Sequence, residues 1–276
     1  MTKKLFIAIS IIASIAVFSQ KKEKKEETYP KAEFTLEDGN KMSALFVAYT
    51  YPNGSYPSFF DKDDIYSFEY KTSPEAKTEK ISAKEVKAMK IYNDEGDFVN
   101  GVERLDMKAI NSNGELVDKT KRSFQPLLYD GKIQIFGSNI FMCQGNIKSH
   151  CTYVYSTFYI RNSKDDFAIM PVDYDRINLF NFGSVEEKMI GAFRVVGKNC
   201  ESFNQYLSFL EKKLGEKEFR KKFKEEFKKV RTEAFEEAKN SGKKGNFQNI
   251  VGDKMLLYYL NFYSGIVKEY EKNCPN

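Results

Sequence analysis

KIQIFGSNIFMCQGNIKSHCTYVYSTFYIRN, residues 132–162, consists of two runs of strand-forming residues around a short polar loop. On either side, Ile, Val, Phe, Tyr and Thr dominate, the β-branched and aromatic composition of strands. Between Cys143 and Cys151 lie Gly145 and Asn146, which suit a loop. The spacing predicts a hairpin whose strands meet at the two cysteines and are cross-linked there. A metal site would need three or four ligands at workable spacing. His150, the only histidine in the chain, is the sequence neighbour of Cys151, so on a strand the two side chains point to opposite faces. No CxxC or HxxxH partner occurs elsewhere, which also removes the usual redox motif. His150 is therefore read as a surface loop residue, and the pair as a structural clip.

N-terminal to this hairpin the text stays β-like. EFTLEDGNKMSALFVAYTYP reads as strand, Asp38-Gly39 turn and strand, with Phe34 and Leu36 alternating before the turn. IYSFEY places Tyr66, Phe68 and Tyr70 on one face. VKAMKIYNDEGDFV, LDMKAINSNGELV and SFQPLLYDGKIQIFG each break at a glycine-containing turn. Ser82 and Glu85 have capping-box spacing, so SAKEV is expected to form one helical turn. Eight to eleven short, mostly antiparallel strands follow from this count, as a sandwich or a rolled-up sheet.

C-terminal to the hairpin the period changes at Ser184. Met189, Ile190, Phe193 and Val196 recur at helical spacing after a second capping box, Ser184 to Glu187, and Gly197 supplies a stop. Phe203, Tyr206, Leu207 and Leu210 mark a second helix ending near Gly215. Phe219, Phe223, Phe227, Val230 and Ala234 draw a narrow apolar stripe along a long charged third helix, which NSGKKGN interrupts. The last helix, from about Phe247 to Lys272, is apolar on most sides. The fold class expected is α+β: an antiparallel β-rich region over residues 29–183, followed by about four helices over 184–276.

At the N-terminus, MTKKLFIAISIIASIAVFSQ has the form of a secretory signal. Lys3 and Lys4 precede an apolar run from Leu5 to Phe18, and Val17 and Ser19 occupy the −3 and −1 positions of a cut before Gln20. The run is short for a membrane span, which needs about 20 residues. The expected organisation is a signal peptide over 1–19 and a charged, flexible leader over 20–28. No membrane span is expected after cleavage, and the location is the periplasm or cell exterior of a bacterium. An even number of cysteines, four, fits an oxidising compartment. Four cysteines allow three connectivities; with Cys143 joined to Cys151, the remaining pair is Cys200 and Cys274.

The segment AFRVVGKNCESFNQYLSFLEKK, behind a strand-rich region and a signal ending in Ser-Gln, resembles a recurrent class of exported bacterial proteins with no assigned activity. In that class a β region precedes helices, and a Gly-Lys-Asn-Cys type segment opens one of them. The resemblance covers Lys31 to Leu214, with Lys198 to Leu207 as its specific part. It implies the architecture and the disulfide context, and it hands over no site residues.

Charge and motif content narrow the chemistry. After the signal, 42 basic and 39 acidic side chains remain, net +3, which is not the profile of a dedicated nucleic-acid binder. One histidine leaves little room for Ser-His-Asp or Cys-His catalysis, and there is no glycine-rich phosphate loop. Asp61, Asp63 and Asp64 lack the spacing of a calcium loop, and with Asp173 and Asp175 they read as solvated loop acids. Tyr49, Tyr51, Tyr56, Phe59 and Phe60 are the candidates for an exposed aromatic loop, although core packing is the plainer reading. Residues 212–229 carry nine basic and four acidic side chains. Within them Lys221, Lys222, Lys224, Lys228 and Lys229 offer a basic face for an envelope protein, a glycan or an anionic lipid surface. No catalytic, cofactor-binding or metal-ligating residue stands out. The expected function is an exported, non-enzymatic binding or envelope-associated protein. The alternative is a carboxylate-based hydrolase whose acids only the fold brings together, with two carboxylates about 5–9 Å apart in a cleft.

Overall fold

The computed structural model describes residues 28–50, 65–111, 114–143, 151–171, 185–241 and 247–274. Among the described residues ten strands come first: β1 (Lys31–Leu36), β2 (Lys41–Thr50), β3 (Ser67–Lys71), β4 (Glu79–Ser82), β5 (Val86–Tyr92), β6 (Phe98–Ile110), β7 (Leu116–Tyr129), β8 (Ile133–Cys143), β9 (Cys151–Asn162) and β10 (Phe167–Met170). Four helices follow: α1 (Val185–Val196), α2 (Glu201–Gly215), α3 (Lys217–Asn240) and α4 (Phe247–Asn273). The protein is α+β, with the strands preceding the helices along the chain. The signal cut at Ser19 and Gln20, the leader up to Glu27, the acids at 61, 63, 64, 173 and 175, His150, and Tyr51, Tyr56, Phe59 and Phe60 lie outside the described residues.

Hairpin turns account for most of the strand order. Gly39 and Gly96 adopt φ of +86° and +89°, a conformation that glycine reaches without a Cβ penalty, and each turns the chain between sequential antiparallel strands. The expected turn at SAKEV is a 3-10 turn, Ala83–Glu85, with the Ser82 hydroxyl accepting from the Lys84 N–H. All ten strands form one sheet, ordered β10-β9-β8-β7-β6-β5-β1-β2-β3-β4. β10 also pairs in parallel with β6, Phe167 opposite Asp106 through Met170 opposite Ala109. The circuit β6-β7-β8-β9-β10 is therefore a closed ring of five strands, and the rolled sheet is the form realised. β6 can serve both halves because it has 13 residues: Phe98 to Glu103 face β5, and Asp106 to Ala109 face β10 on the same edge.

Side-chain alternation assigns the two faces of the ring. Leu105 and Met107 of β6, Leu127 of β7, Phe136 of β8, Tyr159 of β9, and Ala168 and Met170 of β10 fill its interior. At one mouth the same parity continues with Glu103, Gln134 and Arg161. Arg161 is 13% exposed and Glu103 17%. The guanidinium forks onto both Glu103 oxygens at 2.7 and 2.8 Å, donates to Gln134 Oε1, and stacks 5.1 Å from the Phe136 ring. On the outer face Ile133, Ile135, Phe158, Ile160 and Ile169 pack under Met189, Phe193, Phe203, Tyr263 and Val267 of the helices in one continuous core. A separate core lies between β1–β6 and β7. Its centre is the edge-to-face contact of Phe34 with Phe68 at 5.7 Å, and Phe68 touches Phe124 at 5.4 Å. Tyr66 stands just before β3 and is 67% exposed, so only Phe68 and Tyr70 of the expected trio face that core. Tyr49 lies within β2, its ring against Phe46 and Phe68, and belongs to the packing there.

Two disulfides are expected of the four cysteines. Cys200, at the start of α2, is joined to Cys274, after the end of α4. Cys143 and Cys151 are register partners at the end of the β8–β9 ladder, which places their backbones as a hairpin clip requires; their side chains fall outside the described part. The helices end where the sequence places stops. α1 closes with the Gly197 N–H donating to the Phe193 carbonyl, and a Cβ at Gly197 would lie 2.5 Å from the Phe203 ring.

Candidate functional site

α3 is the least covered element of the helical face. Only Ala234 and Ala238 are buried along its 24 residues. It runs antiparallel to α4: Phe223 meets Phe262 and Tyr258 at 5.6 and 5.8 Å, Phe227 meets Tyr258 and Tyr259 at 6.0 and 5.8 Å, and Ala238 packs with Met255 and Val251. At its C-terminal half the small alanines let α3 sit directly on α4. Towards its N-terminus Phe219, Phe223 and Phe227 are only half-buried. The apolar stripe is thus satisfied at one end and partly open at the other.

The charges of α3 separate along its two flanks. At about 100° per residue, Lys217, Arg220, Lys221, Lys224, Lys228, Arg231 and Lys239 fall within one arc about 100° wide that contains no carboxylate, and all seven are exposed. The other flank holds Glu218, Glu225, Glu226, Glu233, Glu236 and Glu237, together with Lys222 and Lys229. The five lysines expected to share a face therefore do not. Lys221, Lys224 and Lys228 lie on the basic flank, whereas Lys222 and Lys229 sit among carboxylates, Lys229 with Glu233 at 3.9 Å. Lys217, Arg220, Arg231 and Lys239 complete the flank. The contribution of Arg220 was readable from the four-residue steps Arg220, Lys224 and Lys228.

Where this flank meets the open end of the stripe there is a groove of about 270 Å³. Its floor is Leu214 of α2, Phe223 and Phe227 of α3, and Tyr259 of α4. The exposed Arg220 and Lys224 and the half-buried Glu186 of α1 complete the lining. Arg220 is held in place, with Nε donating to the Leu214 carbonyl and Nη2 to Glu187 Oε1 at 3.2 Å. Lys224 makes no ion pair among the described residues. Burial, with the Glu186 carboxylate adding to it, pushes the Tyr259 phenol far up. Tyr258 is pushed up to about 12 by burial, then by Glu226 and Glu186. Both phenols are neutral at any ordinary pH. Chemically the groove can hold an apolar group and a charge, and its one lining carboxylate does not make the pair a glycoside hydrolase needs.

A second polar cluster serves packing. Along the seam between β8–β9 and α4, Tyr153 Oη bonds to Ser156 Oγ at 3.0 Å, Ser156 donates to Asn139 Oδ1 at 2.8 Å, and Asn139 Nδ2 donates to Asp253 at 3.0 Å. Gln248 accepts from the Tyr153 backbone N–H. Each partner is used by the next, and Ser156 is buried, so the chain locks α4 onto the sheet. Among the described residues no group of three or more His, Cys, Asp or Glu side chains is placed to hold a metal ion. No helix among them is long and apolar enough to cross a membrane.

No family model matches the chain, and neither a curated protein nor a solved structure does.

Proposed function

We propose that the protein is an exported, non-enzymatic binding module that engages anionic surfaces of the cell envelope through the basic flank of α3. The observation that carries this reading is the separation of charge on that helix. Seven exposed cations share an arc free of carboxylates, on an element whose adjoining apolar stripe is already committed to α4. A helix kept soluble by mixed charge has no need of such segregation, since alternating signs serve solubility equally well. The Cys200–Cys274 bond supports an oxidising location, where such a surface meets lipid phosphates and acidic envelope polymers.

Vesicle co-sedimentation tests the reading. The protein is expected to pellet with phosphatidylcholine vesicles containing one-third phosphatidylglycerol, and to be released by salt. Each basic residue near such a surface contributes about 1 kcal/mol, so Lys217→Glu, Lys221→Glu and Lys228→Glu together should weaken partitioning by at least about 100-fold. All three side chains are exposed, so the circular dichroism spectrum should not change. Equal binding to purely zwitterionic vesicles, or undiminished binding by the triple variant, would sink the proposal.

A further inference from the structure

We infer that the groove between α1, α2, α3 and α4 is a binding site for a single-chain amphiphile with a monoanionic head. The inference stands on the groove and not on the flank that defines the proposed function.

The floor selects an apolar group. Leu214, Phe223, Phe227 and Tyr259 supply carbon surface, and the Tyr259 phenol is already desolvated by the packing beneath it. A volume of about 270 Å³ lies just below the usual range for small-molecule sites, about 300–1,000 Å³. One short alkyl chain suits it, whereas a two-chain lipid or a folded peptide does not.

The rim selects the head. Arg220 is ion-paired with Glu187, which leaves Lys224 as the rim cation that makes no ion pair among the described residues, and a single carboxylate or phosphate monoanion balances it. Arg220 is fixed before any ligand arrives, because the Leu214 carbonyl and Glu187 hold its Nε and Nη2. Nη1 makes no bond among the described residues, so the guanidinium keeps donors for an anion. Lys224 is a long cation at the lip, unpaired among the described residues, and can follow the head group wherever the tail length places it. The head therefore sits on the α3 side of the groove, away from Glu186.

Isothermal titration of the whole protein with dodecanoate, dodecyl phosphate and dodecyltrimethylammonium, each below its micellar concentration, tests the inference. The two anions are expected to bind at one site per chain, and the cation is not. The tighter of the two anions identifies the source, a free fatty acid for the carboxylate or a lysolipid for the phosphate. Lys224→Glu should weaken anion binding about tenfold or more, with an unchanged melting temperature because the side chain is exposed. Phe227→Ala, which shortens the floor, should weaken binding of the longer chain more than that of octanoate. The triple variant Lys217→Glu, Lys221→Glu, Lys228→Glu lines no part of the groove and should bind dodecanoate as the parent does. Absence of anion binding, binding of the cation as tight as that of the anions, or indifference to Lys224→Glu would overturn the site. None of those results bears on vesicle attachment, so the two readings fail separately.

Discussion

A methyl group added at Gly252 would lie 3.0 Å from Asn139 Nδ2 and from the Tyr153 ring. Neither neighbour can yield easily, since Asn139 is held by Asp253 and Ser156, and Tyr153 by Ser156 and Gln248. At Gly265, thirteen residues further along α4, the same methyl meets nothing within 4 Å. Gly265→Ala should therefore gain about 0.5–1 kcal/mol from helix propensity, while Gly252→Ala should lose about 1–3 kcal/mol through overpacking. Urea denaturation of the two variants decides it, and equal shifts would show that the seam is looser than its hydrogen bonds indicate. Arg161 makes a second test at this scale. Arg161→Met leaves Glu103 nearly buried without its fork and should cost about 3 kcal/mol, whereas adding Glu103→Leu should return most of it. If the double variant is no better than the single, the pair is not the plug of the ring mouth.

The helices were legible because each carries its own evidence: Met189, Ile190, Phe193 and Val196 repeat at the helical period, and all four are buried on one side of α1. The hairpins were legible for the same reason, as Gly39 and Gly96 announce their turns locally. β10 was not legible as the closing strand. It is four residues, FAIM, and its parallel partner in β6 lies about 60 residues earlier, so no local pattern reports the pairing. Tyr66 went astray by a single position, since alternation predicts a face only if the strand has already begun. The groove is the extreme case, because four helices contribute to it and no two of its floor residues from different helices are linked by spacing. The Cys200–Cys274 tie acts between elements too, fixing the end of α4 to the start of α2. With partners 74 residues apart, the chain-entropy model gives about 4.5 kcal/mol. Replacing both cysteines by serine should lower stability by about 2–5 kcal/mol. Hydrogen exchange should then rise first in the last turn of α4 and the first turn of α2. Exchange that rises uniformly would mean the bond does not act locally.

For the whole molecule, the many half-buried phenols set the response to alkali. Tyr258 stands at about 12, and burial also raises Tyr153, Tyr206 and Tyr259 above the usual value near 10. Below about pH 10 these groups are protonated whether the chain is folded or not, and the stability they contribute is complete. Above it the unfolded chain ionises first, so unfolding releases protons and stability falls as pH rises, until Tyr258 itself ionises at about 12. The urea midpoint should be lower at about pH 11 than at about pH 8, and phenolate absorbance should rise together with loss of the fold. Full phenolate absorbance in a protein with native circular dichroism would contradict the burial of these rings.

The double use of β6 has a consequence for molecules caught part-way to the native state. While the chain is still arriving, Phe98 to Glu103 can already be satisfied by β5, but Asp106 to Ala109 stay bare on that edge until β10 comes. A bare edge accepts any strand of suitable length. Because β10 is short and closes the ring by itself, the strand that arrives first in a crowded refolding mixture can belong to a neighbour. Two chains that trade this segment would each complete the other's ring with every native backbone bond intact, so the exchanged dimer would be hard to tell from the monomer by spectroscopy and evident only by size.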